Sequence, residues 1–207
     1  MEKENRTKTM TRRFDAEVRA TEVNINGSDE KEFWVEGYAV RFNSPTVLFE
    51  INDTEYKEQI SPGAFKEAKM DDVIFNYNHS GKVIARTRNK TLQLAEDDKG
   101  LSIRARLDGT EQGRQLYDEI KGGYIDRMSF QFTIREESFD STEHMWTIQK
   151  VKRLYDVSAV DIPAYDDTFI EARRAAVLEA EAQITAQHAA DAALAKRKLL
   201  LKLKLSM

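Results

Sequence analysis

Cysteine is absent from the chain. That excludes disulfides, thiolate metal sites and a cysteine nucleophile, and it fits a reducing cytosolic life. Also absent is any apolar run of about 18 residues, the length that crosses a bilayer. The N-terminal residues MEKENRTKTMTRR lack the apolar core of a secretion signal, so the protein is expected to stay where it is made, away from membranes. Basic charge is not in excess. With 32 Lys and Arg against 36 Asp and Glu the formal net charge is -4, whereas a general nucleic-acid binder needs a basic footprint. The 3 histidines are widely scattered and form no helical pair, which argues against a metal centre; neither metal nor cofactor is expected. The glycine-serine-glycine elbow of the hydrolase type is missing as well.

What remains is a chain of 207 residues, 41% hydrophobic and 33% charged, enough for one well-cored soluble domain and an appendage. Residues 1–11 are polar and carry no period, so a flexible N-terminal arm is expected. Phe14, Ala16, Val18 and Ala20 alternate with charged residues. Phe33, Val35, Gly37 and Ala39 do so again after the Asn26-Gly27-Ser28 turn signal, predicting an antiparallel pair. The stretch from Asn43 to Tyr56, with Pro45 and mixed polarity, reads as a long loop. Ser61 as a cap and Pro62 at the first helical position predict a short helix over residues 62–70, with Phe65 turned inward.

Further strands are predicted at 72–77, 82–87, 91–95 and 101–107. A helix opened by Thr110 carries Leu116, Tyr117 and Ile120 inward, and Gly122-Gly123 stops it. A strand at 126–134, a charged turn near 138–143 and a strand over 146–160 complete the set. The expected fold class is α+β: a mainly antiparallel or mixed β-barrel of about seven strands with two short helices, over residues 12–166. From Asp167 the composition becomes rich in alanine, and Thr168 and Glu171 have capping-box spacing, which predicts one long C-terminal helix followed by a basic tail over 167–207. Its last residues, KRKLLLKLKLSM, are basic without an acidic partner; a solvated tail is the default for such a run.

Three residues could do chemistry. Met128, Phe130, Phe132 and Ile134 share one side of an extended chain, and Ser129, Gln131 and Thr133 share the other. Alternation alone makes Ser129 a solvated residue on a half-buried strand. His79 lies where the VIFNY strand runs into the Asn78-His79-Ser80-Gly81 turn, held by a rigid element yet able to reach a cleft. Asp156 faces away from Tyr155 and Val157 on the last strand. A serine hydroxyl becomes a useful nucleophile when an imidazole takes its proton, and a carboxylate fixes that imidazole's tautomer. Spacing alone does not join the three.

Four motifs in order do more: EQISPGAF at 58–65; NYNH at 76–79 with Arg86 shortly after; Met128-Ser129-Phe130-Gln131-Phe132 behind Gly122-Gly123; and Asp156-Val157-Ser158-Ala159-Val160 followed by Ile162-Pro163-Ala164-Tyr165. Together they resemble the prohead maturation proteases of tailed bacteriophages, serine peptidases with a fold related to the herpesvirus assemblins. The resemblance covers roughly residues 12–174. It implies a serine endopeptidase that cleaves the scaffolding segment of the major capsid protein, or a separate scaffold protein, and also its own chain, inside the procapsid in the bacterial host cytoplasm. Position by position it implies His79 as base and Ser129 as nucleophile, with Asp156 as the third member where the assemblins use a second histidine. No paired arginines follow Asp156, so the oxyanion donors are unassigned. Arg86 is either a site contact or a surface strand arginine. A homo-oligomer is left open, and no specific nucleic acid or membrane partner is implied. A second reading, a non-catalytic capsid assembly or scaffolding protein with a helical partner-binding arm, accounts for the C-terminal helix and tail equally well.

Overall fold

The computed structural model describes residues 10–12, 18–24, 31–161 and 167–205. Most of the expected N-terminal arm, Phe14, Ala16, the Asn26-Gly27-Ser28 turn and Pro163 lie outside the described residues. Contacts divide the chain into two units, Met1–Asp166 and Asp167–Met207.

The first unit begins with β1 (Met10–Arg12), β2 (Val18–Asn24), β3 (Lys31–Arg41), β4 (Thr46–Ile51), β5 (Thr54–Ile60) and β6 (Ile74–Tyr77). It continues through β7 (Ser80–Arg86), β8 (Leu92–Glu96), β9 (Gly100–Arg106), helix α1 (Glu111–Lys121), β10 (Arg127–Asp140) and β11 (Met145–Val160). The second unit is helix α2 (Asp167–Leu205), on which Leu178 and Ile184 are exposed. Among the described residues no helix is long and apolar enough to cross a membrane.

The organising strand is β11. It pairs antiparallel with β10 along one edge, while its other edge pairs parallel with β5 over its first half and with β6 over its second. β1 and β4 flank this group, and β7 folds back on β6, making a seven-stranded sheet. A separate four-stranded sheet runs in the order β2-β3-β9-β8. β11 can be bordered on both sides because its sequence supports it. Val151 and Leu154 are buried, and from Asp156 to Val160 every residue is buried, the pattern of a strand segment covered on both faces.

Three expectations are corrected here. The barrel is not closed: among the described residues no ladder pairs a strand of one sheet with a strand of the other. The stretch expected as a long loop instead forms the β4-β5 hairpin. Asn52 and Asp53 turn it at φ 50 and 62, a left-handed conformation that these two residue types tolerate. Phe49 then stacks on Tyr56 at 5.0 Å. Finally, residues 62–70 form consecutive turns rather than a helix. Gly63 takes φ +85, which breaks a right-handed helix at its start. The backbone bonds run to β11 instead: Val151 N donates to Ala64 O and Lys69 N to Lys152 O. Phe65 is nonetheless buried as expected. So the inward residue was legible and the local backbone was not.

The helix α1 follows its signals. Thr110 accepts a hydrogen bond from Gly113 N at 3.0 Å, and Leu116, Tyr117 and Ile120 are its buried stripe. It hands the chain through Gly123, at φ +74, to β10.

Candidate active site

Asn78 and His79 are the two turn residues between β6 and β7, at φ 50 and 54. Positive φ at both positions is the primed hairpin turn that suits the twist of two strands. This turn is clamped to the end of β11. Asn78 N donates to Ala159 O at 3.0 Å, Asp161 N donates to Asn78 Oδ1 at 3.3 Å, and Tyr77 Oη donates to Asp161 Oδ2 at 3.0 Å. A strained backbone held this firmly at a histidine is the kind of feature found where a side chain must be aimed.

The imidazole is aimed at β11. Nδ1 of His79 lies 2.6 Å from Oδ1 of Asp156, and the two side chains are only 8% and 6% exposed. A carboxylate has no proton to give, so Nδ1–H donates and the lone pair is left on Nε2. Nε2 is buried and has no hydrogen-bond partner.

Ser129 belongs to the same sheet face. The register places it opposite Ser158 of β11, and Ser158 opposite Asn76 of β6. Directly opposed residues share a face with Cβ atoms about 4.5–5.5 Å apart. Gln131 opposes Asp156 one step along. Immediately beyond, the ladder slips: Gln131 pairs with Asp156 but Phe132 with Leu154, leaving Tyr155 as the extra residue. A bulge of this kind bends a strand and re-aims the side chains beside it.

Burial corrects one part of the sequence reading. Ser129 does not head a solvated face: it is 0% exposed, as are Met128 and Phe130 on either side of it. Both faces of this half of β10 are covered. Arg86 is also resolved, since its Nε and Nη2 donate to both oxygens of Asp72 at 2.7 to 3.1 Å. That pairing holds the Asp72 carboxyl below its usual range. The guanidinium is thus a structural clasp between the chain before β6 and the end of β7.

Two residues of the cluster were missed as participants. Ser158 Oγ is placed to donate to Asn76 Oδ1 or, at 3.1 Å, to Asp156 Oδ1, and lies 3.1 Å from His79 Nδ1. Both are buried polar residues within otherwise apolar strand segments. That interruption is a signal a sequence does carry, since a buried polar side chain needs a partner. Among the described residues no group of three or more potential ligands is placed to hold a metal ion.

An imidazole held by a carboxylate through Nδ1, on one sheet face with a serine, has the parts from which serine hydrolases build their acid-base chemistry. Residues 15–183 match the family model described as the caudovirus prohead serine protease, and the chain belongs to that family. It is accordingly a serine protease with a role in capsid maturation. Among solved structures, the bacteriophage T4 capsid assembly protease is similar at 13% identity, with a TM-score of 0.46 over 76% of this chain and 100% of that one. No curated protein matches.

Proposed function

We propose that Ser129, His79 and Asp156 form the catalytic triad of an endopeptidase that removes the scaffolding segment of the major capsid protein, or a separate scaffold protein, inside the procapsid in the host cytoplasm. The same activity would trim its own chain. The observation that carries this reading is the 2.6 Å contact between His79 and Asp156 with Nε2 left unpartnered.

In the proposed reaction Ser129 Oγ attacks the scissile carbonyl carbon while its proton passes to His79 Nε2. The imidazolium, steadied by Asp156, then gives that proton to the leaving amine as the C–N bond breaks. Water repeats the sequence: it attacks the acyl-enzyme, His79 takes its proton, and Ser129 leaves with the proton returned. General base assistance of this type contributes roughly a hundredfold to ten-thousandfold.

Because Ser129 is buried and the half-buried His79 exposes only 8% of its side chain, a peptide reaches them only when covering segments shift. That suits a protease of low solitary activity that must not digest its partners before assembly. Residues 12–166 serve as the protease domain in this reading, and 167–207 as an appendage for incorporation into the shell or for binding scaffold. The test is co-expression with the capsid protein, comparing the parent with Ser129→Ala. Cleavage should vanish in the variant while shells still assemble; cleavage that continues removes Ser129 from the role.

A further inference from the structure

We propose that Ser158, anchored by Asn76, is a positioning residue for the His79 imidazole, fixing it as the Nδ1–H tautomer so that Nε2 remains the proton acceptor. The inference rests on the triad reading above and deepens it.

Asp156 is not the only oxygen facing Nδ1. Ser158 Oγ stands 3.1 Å from that nitrogen and 3.1 Å from Asp156 Oδ1. A hydroxyl has one proton and two lone pairs. Asn76 Oδ1 and Asp156 Oδ1 are both acceptors for that one proton, and with the proton on either of them a lone pair of Ser158 is left for the imidazole N–H. A single Nδ1–H bond to Asp156 would leave the ring free to swing about that contact; a second oxygen at a fixed place restricts the swing. The support is rigid because the three residues lie on paired strands, with Ser158 in register with Asn76 on one side and Ser129 on the other.

Burial makes the arrangement hard to replace. Ser158 is 0% exposed and Asn76 4%, so water does not readily take over a lost partner. Ser158 is also unsuited to be the nucleophile itself, because it faces the nitrogen that already carries a proton. When Nε2 is protonated during the reaction, Asp156 and Ser158 both present lone pairs to the resulting positive ring.

The experiment has two arms. In proheads formed with the capsid protein, Ser158→Ala should slow processing about ten- to a hundredfold, as expected for losing a hydrogen bond to a group that becomes charged. Ser158→Thr, which keeps the hydroxyl on a strand that accepts branched residues, should restore most of the rate. In the isolated chain, nitrogen NMR at a pH where the ring is neutral should show His79 protonated at Nδ1 in the parent and a mixture of tautomers in Ser158→Ala. His144 and His188 serve as internal references. Processing at the parental rate in Ser158→Ala, equal loss in the folded alanine and threonine variants, or an unchanged tautomer each overturns the inference. None of these touches the peptidase reading, which fails separately if Ser129→Ala still cleaves.

Discussion

Asp156 Oδ1 sits 2.6 Å from Nδ1 of His79, although 77 positions separate the residues in the chain. The parallel ladder between β6 and β11 creates the meeting, pairing Ile74 with Asp156 and Ala159 with Tyr77 just before the histidine turn.

Replacing Asp156 by Asn should test that contact most directly. The amide can donate to Nδ1, which moves the imidazole proton to Nε2 and disables the base. Processing of the capsid protein should fall on the order of a thousand- to ten-thousandfold, with the fold intact. Measured rates in assembled shells, beside circular dichroism of the purified variant, check both halves of the expectation.

Phe130 anchors β10 from the face opposite Ser129. It is 0% exposed, stacks on Phe132 at 4.8 Å and meets Phe65 edge-on at 6.4 Å. Truncation to Ala leaves a cavity under Ser129, and Phe130→Ala should cost about 3–5 kcal/mol in denaturant unfolding. An effect under about 1 kcal/mol would mean that the strand is held by something other than this packing.

How much of this could be read beforehand follows the range of the interaction. Thr110, Leu116 and Gly122 act within one turn or two, and α1 stands where they predict it. Met128, Phe130 and Phe132 obey a two-residue period, and all are buried. The β4-β5 hairpin was obscured because Pro45 and mixed polarity outweighed Asn52-Asp53, a turn signal of the same kind as Asn78-His79. Residues 62–70 offered real helix signals that tertiary backbone pairing to β11 overrode. The parallel register that brings Asn76 to Ser158 involves residues 82 positions apart, and no local pattern encodes it. Only the isolated polar residue inside each apolar segment hints at it.

Helix α1 is tied to the four-stranded sheet by charge. Glu22 of β2 is held by Lys121 Nζ at 2.6 Å and Lys31 Nζ at 2.7 Å. The bond from Lys121, and then that from Lys31, lower the Glu22 pKa from 4.5 to about 2. A carboxyl more acidic in the folded state adds stability above its unfolded value, and that addition is lost as the pH falls from about 4.5 toward about 2. Across this window the melting temperature of the parent should fall more steeply than that of Glu22→Gln. The difference should be small, because the pair is exposed, and should shrink in high salt. Parallel melting curves for the two proteins would contradict the assignment.

The turn that carries His79 makes the final case, because it separates aiming from stability. Asn78 at φ 50 can be replaced by Gly without steric cost, so Asn78→Gly should keep the fold while losing the side-chain bonds of Asn78, the 3.3 Å bond from Asp161 N among them. Asn78→Ala keeps a Cβ in the left-handed region but loses the short polar side chain that lets asparagine tolerate it, at about 1–2 kcal/mol relative to glycine. If the turn relieves that strain by rotating, His79 moves away from Asp156. Capsid processing should therefore fall further in Asn78→Ala than in Asn78→Gly, by more than the fraction unfolded at the assay temperature explains. Equal activities for the two variants, once corrected for folded protein, would show that the turn's backbone conformation does not aim the imidazole.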